Sequence, residues 1–561
     1  MLYLLWILPL LADHKSRSYL PWLLRLFAAL CLLATGVQVW AQTQDQAVDF
    51  ATQSIQLAMS DEPRSLNSIK AVDAFGIYIV EHIMDGLLRR DANHQLVPAV
   101  AERWEMHGTT ARFWLRHNAV WSDGRPVTAH DFVFAWRTVV DPATASEYAS
   151  MMYVVKNGEA INSGKMPLAE LGVKALDDYT LEVELEKPTG YFLQLMTFIV
   201  FFPAREDFYT AQHGRYFADV ENMLFNGPFT LTKWVHGAAL RLEKNPSYWN
   251  RDAVHLNLIN IPYITNDSAA RFSLFKDGKI AVEDGLVGIV TEQLHGALEN
   301  RFRIHSHSDG SQFYVEFNLR PQRPTSNLNL RKAMQAVFDS QELVYKVLGI
   351  PGYIPGHSLF PVYLQGVKAK FRQEYPVPLP SLDLAQARRY LQKAKQELGV
   401  DNIPPLSILA DNREINILQT QYLQSLFKRT LDIDLRVDVQ SFKQRLDKMH
   451  TGSFDLVIAG WGPDYDDPMT FADLFASWNG NNHGLYNSPL YDSYIKTAQD
   501  TDDQQIRMDA MSKAQQLLID EAVILPTYER VISTVQHPQL QGLVFQQTGA
   551  QMVLTYARVV E

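Results

Sequence analysis

Alternating apolar and polar positions mark the first elements of the chain. Residues 54–58 (SIQLA), 111–116 (ARFWLR) and 179–185 (YTLEVEL) alternate with a period of two and predict strands. Across 77–88 apolar side chains recur at 79, 80, 83, 84 and 87, the spacing of one helix face. The second half is the most regular. Residues 406–410 predict a strand, and 415–430 a helix with apolar positions 415, 418, 422, 423, 426 and 427. Residues 433–439 alternate as a strand, 442–449 suit a short helix, and 455–460 (DLVIAG) form a third strand. This β-α-β-α-β order requires a parallel sheet with crossover helices. Upstream, Asp383 is placed to cap a helix with the apolar face Ala387, Tyr390, Leu391, Ala394 and Leu398, ended by Gly399.

Parallel sheets take their ligands just beyond the carboxyl ends of the strands. The segment leaving the third strand, Gly460-Trp461-Gly462-Pro463-Asp464-Tyr465-Asp466-Asp467-Pro468, is therefore a site candidate on geometry alone. Its two glycines let a ligand approach the backbone, Trp461 offers a flat face and Asp464 a charge. Asp467, just before Pro468, suits a helix cap.

Composition narrows the class. The chain has 561 residues, of which 47% are hydrophobic and 20% charged, enough apolar mass for more than one core. Fifty-one Lys and Arg against 62 Asp and Glu leave a formal charge of −11, which argues against wrapping nucleic acid. A single cysteine, Cys31, excludes an internal disulfide and a cysteine zinc site. Residues 1–41 read as an export signal. An apolar stretch at 1–12 precedes a basic patch (His14, Lys15, Arg17), a second apolar stretch at 20–39 follows, and Val39-Trp40-Ala41 offers cleavage after Ala41. Retention as a membrane anchor and lipidation of Cys31 are the competing readings, the latter opposed by Leu30 where a small residue belongs. Cleavage removes the only thiol, as suits an oxidising periplasm.

Trp121 to Trp136 (WSDGRPVTAHDFVFAW), Asp85-Gly86-Leu87-Leu88, Ala101-Glu102-Arg103-Trp104, Asn226-Gly227-Pro228-Phe229, Asn245-Pro246-Ser247-Tyr248-Trp249 and Phe454-Asp455 through Pro468 follow one another in the order of a known family. In these motifs the chain resembles the family-five extracytoplasmic solute-binding proteins, the peptide-binding subunits of ABC importers, and most of all their oligopeptide and murein-peptide branch. The resemblance implies an α/β, two-lobed periplasmic binding protein of class II with an extra subdomain, hinge-linked, with the ligand cleft between the lobes. Lobe one would combine 42–84, 219–307 and 531–561, an inserted subdomain 85–218, and the second lobe 308–530. The crossings near 309–313 and 526–530 would form the hinge, with Gly310 in it.

The same resemblance implies the site. Asp464 would pair with a peptide's α-ammonium, since an enclosed charge needs a partner. Gly460, Trp461 and Gly462 would meet the peptide backbone as an added strand, so that affinity does not depend on side-chain identity. Val72, Asp73 and Ala74 would offer a strand edge, Asp284 and Gly285 another backbone contact; Tyr148 and Tyr153 lie near a peptide-facing loop, and Tyr528 at the second hinge crossing. Ordinary packing is the plain alternative for each, and core packing the alternative for Trp461. The WSDG segment reads as structural, a turn beside buried aromatics. One departure stands out: Ile458 occupies the place where some relatives carry an arginine that meets the peptide's carboxylate, and Arg413, just after a strand end, is the substitute candidate.

The expected role is capture of oligopeptides by a monomer that hands them to a membrane permease, without catalysis, cofactor, metal or nucleic acid. The alternatives are another solute on the same scaffold (murein peptide, metal chelate or haem), an exported hydrolase, or a tethered sensor domain. His305 and His307 share a strand face but have no third ligand near in sequence. No G-x-S-x-G, H-E-x-x-H or P-loop pattern occurs.

Overall fold

A computed structural model describes residues 47–70, 73–283, 291–300, 302–378 and 382–561. The expected export signal lies outside them. Among the described residues no helix is long and apolar enough to cross a membrane.

The α/β segment forms as its periodicity predicts. Leu406–Asp411, Leu435–Gln440 and Leu456–Trp461 are strands, and Glu414–Leu431 and Phe442–Thr451 the helices between them. Leu406–Asp411 pairs in parallel with both other strands. Leu384–Leu398 is a helix whose first turn is capped by the Asp383 carboxylate, and Gly399 closes it in a left-handed conformation. The helix expected over 77–88 differs. It spans Ala74–Ile83, and Leu88–Arg90 is a short strand. The apolar spacing runs on through Met84, Leu87 and Leu88, but the chain turns at Asp85-Gly86. There the Asp85 N–H donates to Asn226 Oδ1, and Gly86 fits against the Phe202 ring.

Three larger sheets organise the molecule. One has five strands and includes Ser54–Met59, Phe229–Val235, Ala239–Lys244 and Leu258–Ile264. A four-stranded antiparallel sheet is made from Ala101–His107, Thr110–Leu115, Val173–Asp177 and Thr180–Glu184. These two share one hydrophobic core. In it the WSDG segment has its expected structural role: Trp121 is fully buried and donates to Asp131 Oδ2, and Trp136 Nε1 donates to the Phe201 carbonyl. The third sheet carries the α/β segment together with two long strands, Arg303–Phe317 and Ile524–Gln536. Its faces bury two separate cores.

The long strands pair antiparallel and tie the two bodies together. Their outer half packs with the first body through Phe272, Phe275 and Val535, with Ala58 and Tyr263 against them. Their inner half runs through the second body, where Val315 and Phe317 are fully buried. Between the halves the register breaks: Ser308 faces Val531 and Gln312 faces Glu529, so Asp309, Gly310 and Ser311 bulge opposite Arg530. The Arg530 guanidinium donates to the buried Asp309 carboxylate (2.6 Å) and to Ser311 Oγ (3.3 Å). Gly310 has φ +78°, and a Cβ there would fall 2.7 Å from Pro463 and 2.9 Å from Tyr363.

Gly310→Ala is expected to lower stability by about 1–3 kcal/mol, from left-handed strain and the two close approaches. Urea unfolding checks it; an unchanged midpoint would show that the bulge relaxes freely.

Candidate functional site

The loop after Leu456–Trp461 is held from both ends. The strand pairs along its whole length with the long strand, from Phe317 opposite Leu456 to Gln312 opposite Trp461. On its other side it meets Leu406–Asp411 only at Leu456 and Val457. Residues 458–461 therefore have an edge without a strand partner among the described residues, the kind of edge an extended chain can join. Further on, the Asp467 carboxylate accepts from the Met469 N–H (2.9 Å) and pairs with Arg507 (2.7 Å), both side chains being buried. Asp467 thus serves the turn, as its place before Pro468 predicts.

Asp464 lies between these anchors. Its N–H donates to Thr470 Oγ1 (3.2 Å), while its carboxylate has no ion pair among the described residues. It opens on a cavity of about 600 Å³ whose polar wall also includes Glu81, Asp85, Arg89 and Arg90. The two arginines are already engaged. Arg89 donates to Tyr248 Oη (2.6 Å), and Arg90 donates to Asp466 (2.8 Å) and Gln194 (2.7 Å). Asp85 accepts from Tyr248 Oη and Trp249 Nε1, both at 2.9 Å. Burial without a compensating partner pushes the Asp464 carboxyl up to about 6. Burial also pushes Glu81 up to about 7, although Glu81 accepts from the Ala550 N–H at 2.8 Å.

The second body closes on the first at the same loop. Tyr465 stacks on Tyr191 (ring centroids 5.0 Å apart, 13° between planes), and both rings also pack against the cores on either side. Asp466 with Arg90 adds a largely buried ion pair.

The other expected positions divide. Gly460 sits in the strand opposite Phe313, and a Cβ there would fall 2.5 Å from the Phe313 ring, so close packing is one reason for glycine. Trp461 is part-buried with its Nε1–H unpartnered, and Gly462 is exposed; both line a larger cavity of about 1030 Å³. Asp73 caps Ala74–Ile83 by accepting from the Gly76 N–H (2.9 Å) and pairs with Arg64, which commits its carboxylate to the fold; Ala74 beside it is exposed. Tyr153 donates to Asn162 Oδ1 (2.8 Å) and lines neither cavity. Tyr148 stands nearer, its phenol raised by burial and by the Asp464 charge. Tyr528 is buried between Phe313 and Tyr353, stacked on both, beside the bulge. Val72, Asp284 and Gly285 lie outside the described residues. His305 and His307 face the Phe545 ring, and no group of three metal-binding side chains occurs among the described residues. Glu81, Arg90 and, in the larger cavity, Arg445 and His483 escape sequence reasoning, because each comes from an element remote in the chain.

Two bodies joined by a strand pair, with a cavity where they meet and a carboxylate-bearing loop at the junction, define a two-lobed periplasmic binding protein. The sequence pattern of the bacterial extracellular solute-binding proteins, family 5 Middle, matches residues 95–483, and the chain belongs to this family. It is 30% identical to the periplasmic oligopeptide-binding protein OppA of Salmonella typhimurium over 538 residues, covering 94% of this chain and 96% of that one. It is 28% identical to the periplasmic murein peptide-binding protein MppA of Escherichia coli, covering 92% and 94%. Among solved structures it is similar to Listeria monocytogenes OppA bound to peptide, with a TM-score of 0.74, 32% identity, and 91% and 99% of the two chains covered.

A carboxyl raised in the folded state stabilises the fold below its unfolded value and loses that contribution as pH rises through the folded value. With Asp464 at about 6, Asp464→Asn should melt higher than the parent near pH 7, with the gap closing toward pH 4. Differential scanning calorimetry of the ligand-free proteins measures it; a gap independent of pH would refute the burial account.

Proposed function

We propose that this protein captures oligopeptides outside the cytoplasm by hinge closure and delivers them to the membrane permease of an ABC importer. The observation that carries this reading is the Asp464 carboxylate: part-buried, without an ion pair among the described residues, and facing a cavity where the two bodies meet. A peptide's α-ammonium is the partner such a group lacks. The open strand edge at 458–461 supports backbone recognition, and the OppA relatives bind oligopeptides by name.

In this reading the lobes are 42–84 with 219–307 and 531–561, the insert 85–218, and 308–530, and the hinge is the bulge at 309–311 opposite Arg530. The sheets support this division, since the five-stranded sheet draws its strands from the first group and the four-stranded sheet from the insert. Cleavage after Ala41, a monomeric state, and binding without catalysis belong to the same proposal. Ligand closes the lobes only through its higher affinity for the closed state.

Asp464→Asn is expected to weaken binding of free-amine peptides by about 2–5 kcal/mol, and N-acetylation of the peptide to be comparably damaging. Isothermal calorimetry tests both, and equal affinity for acetylated and free peptides would point to a ligand without an amine. The pairing also sets a pH profile. Affinity should rise between about pH 5 and 7 as Asp464 ionises, and fall above about pH 8 as the peptide amine loses its proton. A flat profile would remove Asp464 from the site.

A further inference from the structure

Four carboxylates crowd the ligand loop and the turn after it: Asp464, Asp466, Asp467 and Asp473. Two of them are answered by cations. Asp466 pairs with Arg90 (2.8 Å) and Asp467 with Arg507 (2.7 Å). Arg507 is committed further: Nε donates to the Ala498 carbonyl (3.2 Å), Nη1 to Gln504 Oε1 (3.1 Å), and the guanidinium lies over the Tyr191 ring. Asp464 and Asp473 are in no ion pair among the described residues.

The fold brings these two acids to one place. The short helix Met469–Ala472 runs on into the turn Asp473–Phe475. Its Thr470 Oγ1 accepts from the Asp464 N–H (3.2 Å), and Asp473 follows three residues later, one turn along the same face. The flanking Ala472 and Leu474 are buried, and the part-buried Asp473 carboxylate turns back to its own N–H. The groups facing Asp473 are Asp464, Asp467 and Tyr465 from the loop, Tyr191 from the first body and Tyr491 from the helix Pro489–Gln499. Burial first, and the Asp473 charge with it, keep all three phenols protonated, so none adds a charge of its own. From the first body Asp464 faces the Tyr148 phenol, which is raised in the same way, and along its cavity stand Glu81, Asp85, Arg89 and Arg90.

Burial, and after it the charge of Asp464, push the Asp473 carboxyl up to about 7, while Asp464 stands at about 6. Two acids that feel each other's charge resist ionising together until a cation arrives.

We propose that Asp473 is the second carboxyl of the ammonium site: it shares a proton with Asp464 in the ligand-free protein, and the arriving ammonium drives that proton into the solvent. This rests on the peptide reading above and adds the regulation of the same site. One positive charge enters as another leaves, so the buried loop changes its net charge little on capture. As pH falls through the range of the two acids, the proton competes with the amine and binding weakens.

Calorimetry counts the proton. Tri-, tetra- and pentaalanine are titrated at pH 6.5 in phosphate and in imidazole, whose ionisation enthalpies differ, and the buffer dependence of the heat gives the protons exchanged. At that pH the peptide amine is already charged, so protons released come from the protein. About one proton released per peptide is expected, falling below about half in Asp473→Asn and restored in Asp473→Glu. The affinity of Asp473→Asn should be lower by about three- to tenfold at pH 7.5, but within about twofold of the parent at pH 5.5, where Asp473 already carries a proton. A residue that only supports the fold would weaken binding equally at both pH values and leave the proton count unchanged. Heat independent of buffer, or full release persisting in Asp473→Asn, with binding intact, overturns the shared proton and leaves the ammonium reading standing. No binding by any of the three peptides overturns both.

Discussion

The two bodies are held to each other by the paired strands Arg303–Phe317 and Ile524–Gln536, and the arrangement of the site depends on how that pair is interrupted. An unbroken antiparallel ladder across the junction would resist bending, because every peptide group along it is committed to its neighbour. The bulge at Asp309–Ser311 releases that constraint at one level only, and the Arg530 guanidinium restores order there with side-chain bonds to Asp309 and Ser311. Those bonds can reorient more easily than a backbone ladder can shear. Gly310 supplies the left-handed turn and brings Pro463 against the bulge, so the break in the ladder and the loop bearing Asp464 are adjacent.

The two cavities differ in charge. Asp464 and Glu81, their carboxyls raised by burial, stand at the one between the bodies; Arg413, Arg445 and Arg530 stand with Glu316 at the one inside the second body. A part-buried carboxylate without an ion pair is a standing cost to the ligand-free protein, and a cationic group meeting Asp464 would relieve it. The edge at 458–461 has no strand partner among the described residues, and main-chain groups on such an edge treat all peptide backbones alike.

Much of this was readable in the chain, and the part that was not has a common cause. Leu406–Asp411 through Leu456–Trp461 followed their periodicity because amphipathic order is local. Asp383 and Gly399 marked their helix through capping, which is also local. The segment 77–88 misled because Met84, Leu87 and Leu88 keep a helical spacing while a tertiary contact, Asp85 to Asn226, turns the chain. Asp464 was singled out through strand order and resemblance. Arg445 was not, because it sits in the polar segment FKQRLDKM, where it reads as a solvated helix face; only the fold brings it to Ile458. Arg90 and Asp466 are 376 residues apart, and no pattern in the chain links them.

Closure is then a matter of how the energies divide. Part of the attraction between the bodies belongs to the protein itself, in the Tyr191–Tyr465 stack and the Arg90–Asp466 pair, whose side chains are only 4% and 16% exposed. The exposed bridge from Lys187 to Asp500 adds little, being screened by water and salt. A protein that closed firmly on these contacts alone would exclude its guest, so they must leave the open state accessible. To carry a two-state equilibrium from mostly open to mostly closed, a ligand must favour the closed form by about 5.5 kcal/mol. A single buried charge pair contributes on the order of 3–5 kcal/mol when broken, less when counted as a net gain. One charge pair therefore falls short of that figure, and main-chain hydrogen bonds along a captured backbone would have to supply the rest.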